Sequence, residues 1–598
     1  MSITAALAPL RAHGGQRRTS GLDDATLERL APTHPELAEA IEAAAAEYAR
    51  IRNDFADLLE LDESAQIETV QAGYVNFYAT DAVNPYVALT ARGPWIVTLK
   101  GAVVHDSGGY GMLGLGHSPK AVIEAMARPQ AIANVMTPNL SQLRLDRALR
   151  REIGHSAGGC PFARFLCLNS GSEAVGLAAR IADVNSKLMT DPEGRHAGAK
   201  IKRVVVKGSF HGRTERPALY SDSTRKTYQR HLASFRGEDS VIAIEPYDAD
   251  ALRRAFADAE RNGWFIEAVF LEPVMGEGDP GRALPRAFYD AARELTAAGG
   301  GLLLVDSIQA GLRAHGVLSI VDYPGFEGCA PPDMETYSKA LNAGQYPLSV
   351  LAVTEAAAQL YRTGVYGNTM TTNPRALDVA CAVLDAITPE LRANIRERGR
   401  EAVARLETLK TELGGLITGV QGTGLLFSCE LAPQFKCYGA GSTEEWLREH
   451  GIGVIHGGAN SLRFTPRFET TPDELDLLVS MVGTALREGP RQKAAEAAGG
   501  GAPRAPTPAL PRTRGREQRL FQRATFRLTC LAATSRRAGR GISLPDDGAR
   551  PLRSMTFRPE RGSRPLPVDD VSPPRRDGRP LPVHDVSTPV AVHARSRP

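Results

Sequence analysis

No stretch of the 598-residue sequence approaches the ~18 consecutive apolar residues that a membrane-spanning helix needs. The seven cysteines, at 160, 167, 329, 381, 429, 437 and 530, include no C-x-x-C pair and no histidine at zinc-ligand spacing. An odd, scattered set excludes a disulfide scaffold, gives no metal site and suits reduced thiols in a cytoplasmic protein. The opening MSITAALAPLRAHGGQRR lacks the sustained apolar core and cleavage site of a secretory signal, and Arg17 and Arg18 make only a weak organelle presequence. Lysine is absent from residues 501–598, which hold 20 arginines, 8 acids and 15 of the 40 prolines. That tail therefore carries +12, leaving −9 on the first 500 residues of a chain whose net charge is +3. Without an apolar period it cannot offset its ordering entropy, so we expect disorder over 491–598. It contains a near-repeat, RPLPVDDVS at 564–572 and RPLPVHDVS at 579–587. An arginine-rich arm for nucleic acid is the competing reading, but no aromatics interleave with the charge to stack bases.

What is present, from about residue 160, is a strand–loop–helix rhythm. FARFLCLN, KRVVVKG, VIAIEP, EAVFLEPV, GLLLVDS and LSVLAVT are short runs rich in β-branched residues or leucine. Helical stretches such as EAVGLAARIADVNSKL, DADALRRAFADAERN and PRAFYDAARELTAAG fall between several of them. The pattern indicates an α/β protein with a mostly parallel sheet covered on both faces. Upstream, the first ~30 residues read as irregular, residues 37–61 as a helix, and PWIVTLKG with AVVHDSGG as a hairpin. SPKAVIEAMARP reads as a helix capped by Ser118 with Pro119 at its first position. A long helical stretch follows Pro374 to about Leu413, and GLLFSCEL, IGVIHG and SLRFTP with a helix from Pro472 suggest a smaller α+β domain.

Ligands in such sheets sit beyond the carboxyl ends of the strands. After FARFLCLN, Ser170, Gly171 and Ser172 open a helix whose free N–H groups and dipole favour a phosphate, although the same residues make an ordinary cap. After KRVVVKG, Phe210 and His211 offer either a cover for a flat ring or plain packing. Asp306 directly follows GLLLV, where it is a helix cap or a partner for a cationic ligand atom. Thirty-three residues on stands Lys339, which in a site of low polarity becomes a nucleophile toward aldehydes.

In this order the stretches NSGSEA, GSFHGRT, LEPVMGEG, LLLVDSIQAGLRAHG, ETYSKAL, GNTMTTNP and LRFTPRF resemble the class III aminotransferases, over roughly residues 85–490. These are fold-type-I enzymes that depend on pyridoxal 5′-phosphate (PLP). The resemblance implies a sheet of the seven-stranded type in a large PLP-binding domain over 136–385. A smaller α+β domain would be assembled from 85–135 and 386–490, preceded by a partly helical extension over 1–84. It implies that Lys339 holds the cofactor covalently and moves the proton, and that Asp306 pairs with the ring nitrogen. Phe210, or His211 beside it, would stack on the ring and Gln309 would reach the phenolic oxygen. Gly171 and Ser172 would donate to the phosphate, and Thr369 to the phosphate of a neighbouring subunit's cofactor, so a homodimer with shared sites is expected.

The expected reaction is transfer of an amino group from an amine or amino-acid donor, with terminal amines of the ornithine, lysine or GABA kind as candidates, to a keto acid such as 2-oxoglutarate. Glu277 and Arg463 match a gate in which the arginine grips a carboxylate and the glutamate neutralises it otherwise; a surface ion pair is the plainer alternative. Mutase, racemase or decarboxylase chemistry on the same scaffold is the competing expectation. Neither a membrane nor nucleic acid is expected as a partner. Four places depart from the family pattern: Ser307 stands for the usual acid, Met275 for glutamine, Thr371 and Thr372 for a glycine pair, and Tyr366 for histidine. The glycine-rich loop 105–117, with Tyr110 and Met112, is expected on the substrate side.

Overall fold

Residues 2–131 and 136–492 are described by the computed structural model. From residue 493 on, the Arg/Pro-rich tail lies outside the described residues. Seven strands form the main sheet: β1 (Arg164–Leu168), β2 (Lys200–Val206), β3 (Val241–Ile244), β4 (Trp264–Leu271), β5 (Leu302–Asp306), β6 (Met334–Tyr337) and β7 (Ser349–Val353). Their spatial order is β1-β7-β6-β5-β4-β2-β3. Only β7 runs antiparallel to its neighbours, with Val350 opposite Tyr337 on one side and Cys167 on the other.

Alternate side chains of these strands enter different cores, which is why the runs read as continuously apolar. On β4 and β5, Phe270 and Leu304 face the helix α1 (Gly171–Thr190) with its Ala174, Ala178 and Ile181. Val269, Leu271, Leu303 and Val305 face the opposite way, toward α2 (Ala249–Arg261) and α3 (Arg286–Gly299) with Leu252, Phe288 and Ala292. Strand ends β1, β2, β4, β5 and β6 consequently open on one edge of the sheet, where the loops described below converge.

Two four-stranded sheets flank this core. In one, Trp95–Thr98 and Val103–Asp106 form the expected hairpin, Ala88–Arg92 extends it to an antiparallel meander, and Ile452–Gly453 adds in parallel beside His105. Segments nearly 350 residues apart thus share one sheet. The other sheet joins Ile417–Thr423, Leu426–Leu431, Ser461–Phe464 and Ile455–Gly457.

Several local expectations need correction. The first 30 residues are not irregular: Ile3–Leu7, Ala8–Arg11 and Asp24–Leu30 are short helical turns that bury Leu7, Leu10, Leu27 and Leu30. Segments this short give no readable period. The helix expected over 37–61 spans Pro35–Ile51 and is broken by a turn around Asn53 and Asp54, residues that favour turns. Ser118 does not cap the next helix: it has φ +51°, and Lys120–Ala127 starts without a side-chain cap. The long helix after Pro374 is two, Pro374–Ala386 and Pro389–Glu412, because Pro389 cannot continue the first and Thr388 caps the second by accepting from the N–H of Leu391. Strand β6 escaped notice because METY carries a glutamate and a threonine in the sheet's centre, both fully buried.

Candidate active site

A cavity of about 390 Å³ opens at the carboxyl edge of the main sheet. Each wall comes from a turn that follows a strand: Ser170, Gly171 and Ser172 after β1, Phe210 and His211 after β2, Glu272 after β4, Gln309 after β5 and Lys339 after β6. Met112, from the glycine-rich loop, closes the far side. Of the ten residues singled out from sequence, seven (Gly171, Ser172, Phe210, His211, Asp306, Gln309 and Lys339) line this one cavity.

Asp306 ends β5 and is 4% exposed. Its Oδ2 accepts from His211 Nδ1 at 2.8 Å, and its Oδ1 accepts from the Thr336 hydroxyl at 3.1 Å and from the Ile308 N–H at 3.2 Å. Three donors on a buried carboxylate fix its plane and satisfy the charge that burial would otherwise penalise. The His211 ring is spent on this contact, which leaves Phe210 as the aromatic face toward the cavity. Two buried polar atoms here, His211 Nε2 and Gln309 Oε1, have no partner among the described residues. Lining a cavity, these two unpaired groups are free to meet a ligand.

Lys339 follows β6 with φ +47°, a left-handed backbone that a lysine adopts only under constraint. Burial pushes its amine down to about 8; the Arg463 charge adds to this, and Glu277, Asp306 and Glu272 oppose it. Burial also pushes the Glu272 carboxyl up to about 7, although it accepts from the Phe210 N–H at 3.0 Å and the Gly276 N–H at 2.8 Å. The space around Gln309 is tight: a Cβ at Gly276 would lie 2.4 Å from Gln309 Cγ. At the helix start, Ser170 caps α1 by accepting from the Glu173 N–H, and Gly171 and Ser172, which open the helix, line the cavity.

Arg463 and Glu277 each turn to other partners instead of to one another. Arg463, 2% exposed, donates to the Gly276 carbonyl, leaves its Nε unpartnered and lies 5.7 Å from the Tyr110 ring. The Glu277 carboxylate accepts from the Ser223 hydroxyl at 3.4 Å. A second cation, Arg213, has no acid partner among the described residues either: its guanidinium stands 5.2 Å from the Phe210 ring. Thr369 is exposed and does not line the cavity of its own chain.

The departures from the expected pattern have local explanations. Ser307, where an acid was expected, donates to Glu335 Oε1 at 2.5 Å; Ser319 donates to Oε2 at 2.5 Å and Ile320 N–H to Oε1 at 3.0 Å. A carboxyl group is therefore present at this spot, supplied by β6 instead of the loop, and burial raises it to about 7. Thr372 adopts φ +58°, a conformation that favours glycine, at a steric cost for a β-branched residue. Tyr366 lies 5.9 Å beneath the Arg180 guanidinium. Thr336, Glu272, Arg213 and Glu335 were not singled out from sequence. All four sit inside quoted motifs, but Thr336 and Glu335 act through a strand that sequence did not reveal.

An amine of lowered basicity, a carboxylate opposite it, an aromatic face, a helix N-terminus and two orphaned polar atoms suit a flat heteroaromatic aldehyde bearing a phosphate. Known proteins point the same way. The class III aminotransferase family model matches residues 77–486, more than half of the chain. An acetylornithine aminotransferase of Xanthomonas axonopodis is 30% identical over 372 residues, covering 62% of this chain and 85% of that protein. A succinylornithine transaminase of Salmonella typhimurium is 30% identical over 406 residues, covering 65% and 90%. Among solved structures, the ornithine aminotransferase of Toxoplasma gondii superposes with TM-score 0.60 at 23% identity, covering 73% of this chain and 98% of that one. The chain belongs to the class III aminotransferases and is a PLP-dependent transaminase.

Proposed function

We propose that the donor is an amino acid with a terminal amine, of the ornithine or acylated-ornithine kind, and that the acceptor is a dicarboxylic keto acid such as 2-oxoglutarate. The names of the relatives support this donor class. The observation that carries the acceptor is the pair of arginines, Arg213 and Arg463, neither with an acid partner among the described residues, beside one cavity. A guanidinium free of internal carboxylates keeps its fork for the substrate's. Glu277, turned to Ser223, leaves Arg463 open for a keto acid; turned back, it would neutralise Arg463 when a terminal amine occupies the site.

Bound PLP supplies the aldehyde that carries the amino group and a ring that takes up the electron pair released when the donor carbon loses its proton. In this reading Lys339 holds the cofactor and its Nζ removes and returns that proton, which an amine brought down to about 8 does near neutral pH. Asp306, locked by His211 and Thr336, stabilises positive charge on the ring nitrogen. Phe210 would cover one ring face, the Gln309 side-chain amide would donate an N–H to the ring's oxygen side, and Gly171 and Ser172 would donate N–H groups to the phosphate.

Thr369 belongs in this reading to the site of a second copy, giving a homodimer with shared sites; its exposure, with that of Met370 and Met136, supports the assignment. A cytoplasmic location is supported by six described cysteines, all free. The test is a single half-reaction. With ornithine or its N-acyl derivatives alone, the enzyme should convert its PLP to the pyridoxamine form. 2-Oxoglutarate should then restore the starting spectrum. Unchanged cofactor across the panel of terminal-amine donors would overturn the substrate reading.

A further inference from the structure

Residues 72–79 connect the helix Glu63–Gln71 to the turn Thr80–Ala82 with no strand pairing and with Tyr74, Val75 and Phe77 largely in solvent, at 81%, 101% and 76% exposure. Both ends of this strap are fixed. Before it, Glu63 accepts from the N–H groups of Arg18 and Thr19, each at 2.8 Å, and the Gln66 amide donates to the Leu58 carbonyl at 2.9 Å. After it, Arg448 donates to the Ala82 carbonyl at 3.0 Å and Asp81 Oδ2 accepts from the Ala440 N–H at 3.3 Å.

Between these anchors the strap reaches Arg213 directly and Arg463 by way of Tyr110; neither arginine lines the cavity itself, but each stands next to a residue that does or that flanks it. The Phe77 ring lies 5.8 Å from the Arg213 guanidinium, whose other ring contact is Phe210. Phe77 is 4.4 Å from Tyr78, and Tyr78 is 6.1 Å from Tyr110, the ring on which Arg463 rests. A continuous series of rings therefore joins Arg213 to Arg463. A ring holds a guanidinium by its face without neutralising it, whereas a carboxylate would occupy the fork.

We propose that Phe77 and Tyr78 are positioning residues that set the separation of Arg213 and Arg463, and so select a dicarboxylic keto acid by length. The inference rests on the acceptor reading given above and adds what fixes it. Phe77 is exposed, so its truncation leaves no core cavity.

The test compares steady-state KM and kcat of the PLP-loaded enzyme for 2-oxoglutarate and for pyruvate, which lacks the second carboxylate. Phe77→Ala should raise the KM for 2-oxoglutarate about two- to fivefold, the range expected for an exposed ring–cation contact, and clearly more than it raises the KM for pyruvate. The KM for pyruvate should move less than about twofold, and kcat and the cofactor absorbance should stay close to wild type. Phe77→Tyr should restore the wild-type KM, and Val75→Ala, which alters a side chain on the same strap with no ring contact, should change nothing. An equal rise for both keto acids, or none for either, overturns the role of the strap. Wild-type enzyme that fails to use 2-oxoglutarate overturns the acceptor reading with it, and that result is visible before any variant is made.

Discussion

Replacing Thr336 by valine removes one hydroxyl and almost no volume from the most buried part of the site. In the wild type, Asp306 Oδ1 has two donors, the Thr336 hydroxyl at 3.1 Å and the Ile308 N–H at 3.2 Å. The valine leaves only the second. A hydrogen bond to a charged group contributes about 1.5–3 kcal/mol, and no water reaches a threonine with 0% exposure to replace it. If that loss falls on the state with cofactor bound, where the carboxylate plane matters most, PLP release or turnover should suffer roughly ten- to hundredfold, at about 1.4 kcal/mol per decade. The assay is paired: PLP dissociation followed by absorbance, and kcat/KM for the donor half-reaction. Thr336→Ser is the control, because it keeps the hydroxyl and loses a methyl group. Wild-type behaviour of the valine variant would refute the reasoning. So would a serine variant as impaired as the valine one, since packing and not the hydroxyl would then be responsible.

Arg463→Ala should weaken the keto-acid half-reaction far more than the terminal-amine half-reaction, read by single-turnover absorbance; equal losses would remove the gate formed with Glu277. A pH prediction concerns His105, fully buried with both ring nitrogens unpartnered and its edge against Trp95 at 5.0 Å. Burial lowers its pKa below 6.5, with Arg467 and His34 adding to this and Glu474 and Asp106 opposing it. A depressed folded-state value means that its stability contribution is complete above about pH 6.5 and is lost as the pH falls below it. His105→Leu should therefore show a shallower fall in Tm between about pH 6.5 and 5 than the wild type, and parallel curves would contradict the assignment.

Six of the seven main strands were legible because each side chain on a doubly covered strand faces one core or the other, which leaves an unbroken apolar run. The seventh, β6, was not legible. It places Thr336 under Asp306 and Glu335 under Ser307, so its polar residues are satisfied only by neighbours distant in sequence. The same reasoning separates the site residues that were found from those that were missed. Gly171 and Asp306 announce themselves by position at the end of a readable strand, and Lys339 by its place in the order of motifs. Arg213 matters because no acid among the described residues reaches it, and Phe77 and Tyr78 because a strap outside the main sheet carries one to Arg213 and the other to Tyr110; sequence order shows neither fact. The short helices before residue 31 were hidden for another reason, since one or two buried leucines in each are too few to show a period.

The covalent link at Lys339 remains the point on which the account turns. Borohydride reduction of the PLP-loaded enzyme, followed by peptide mass mapping, should fix one pyridoxyl group per chain on the peptide that contains Lys339. The Lys339→Ala variant should show no such label and no cofactor absorbance above that of free PLP. A pyridoxyl group on any other lysine, or transamination that persists in Lys339→Ala, would contradict it.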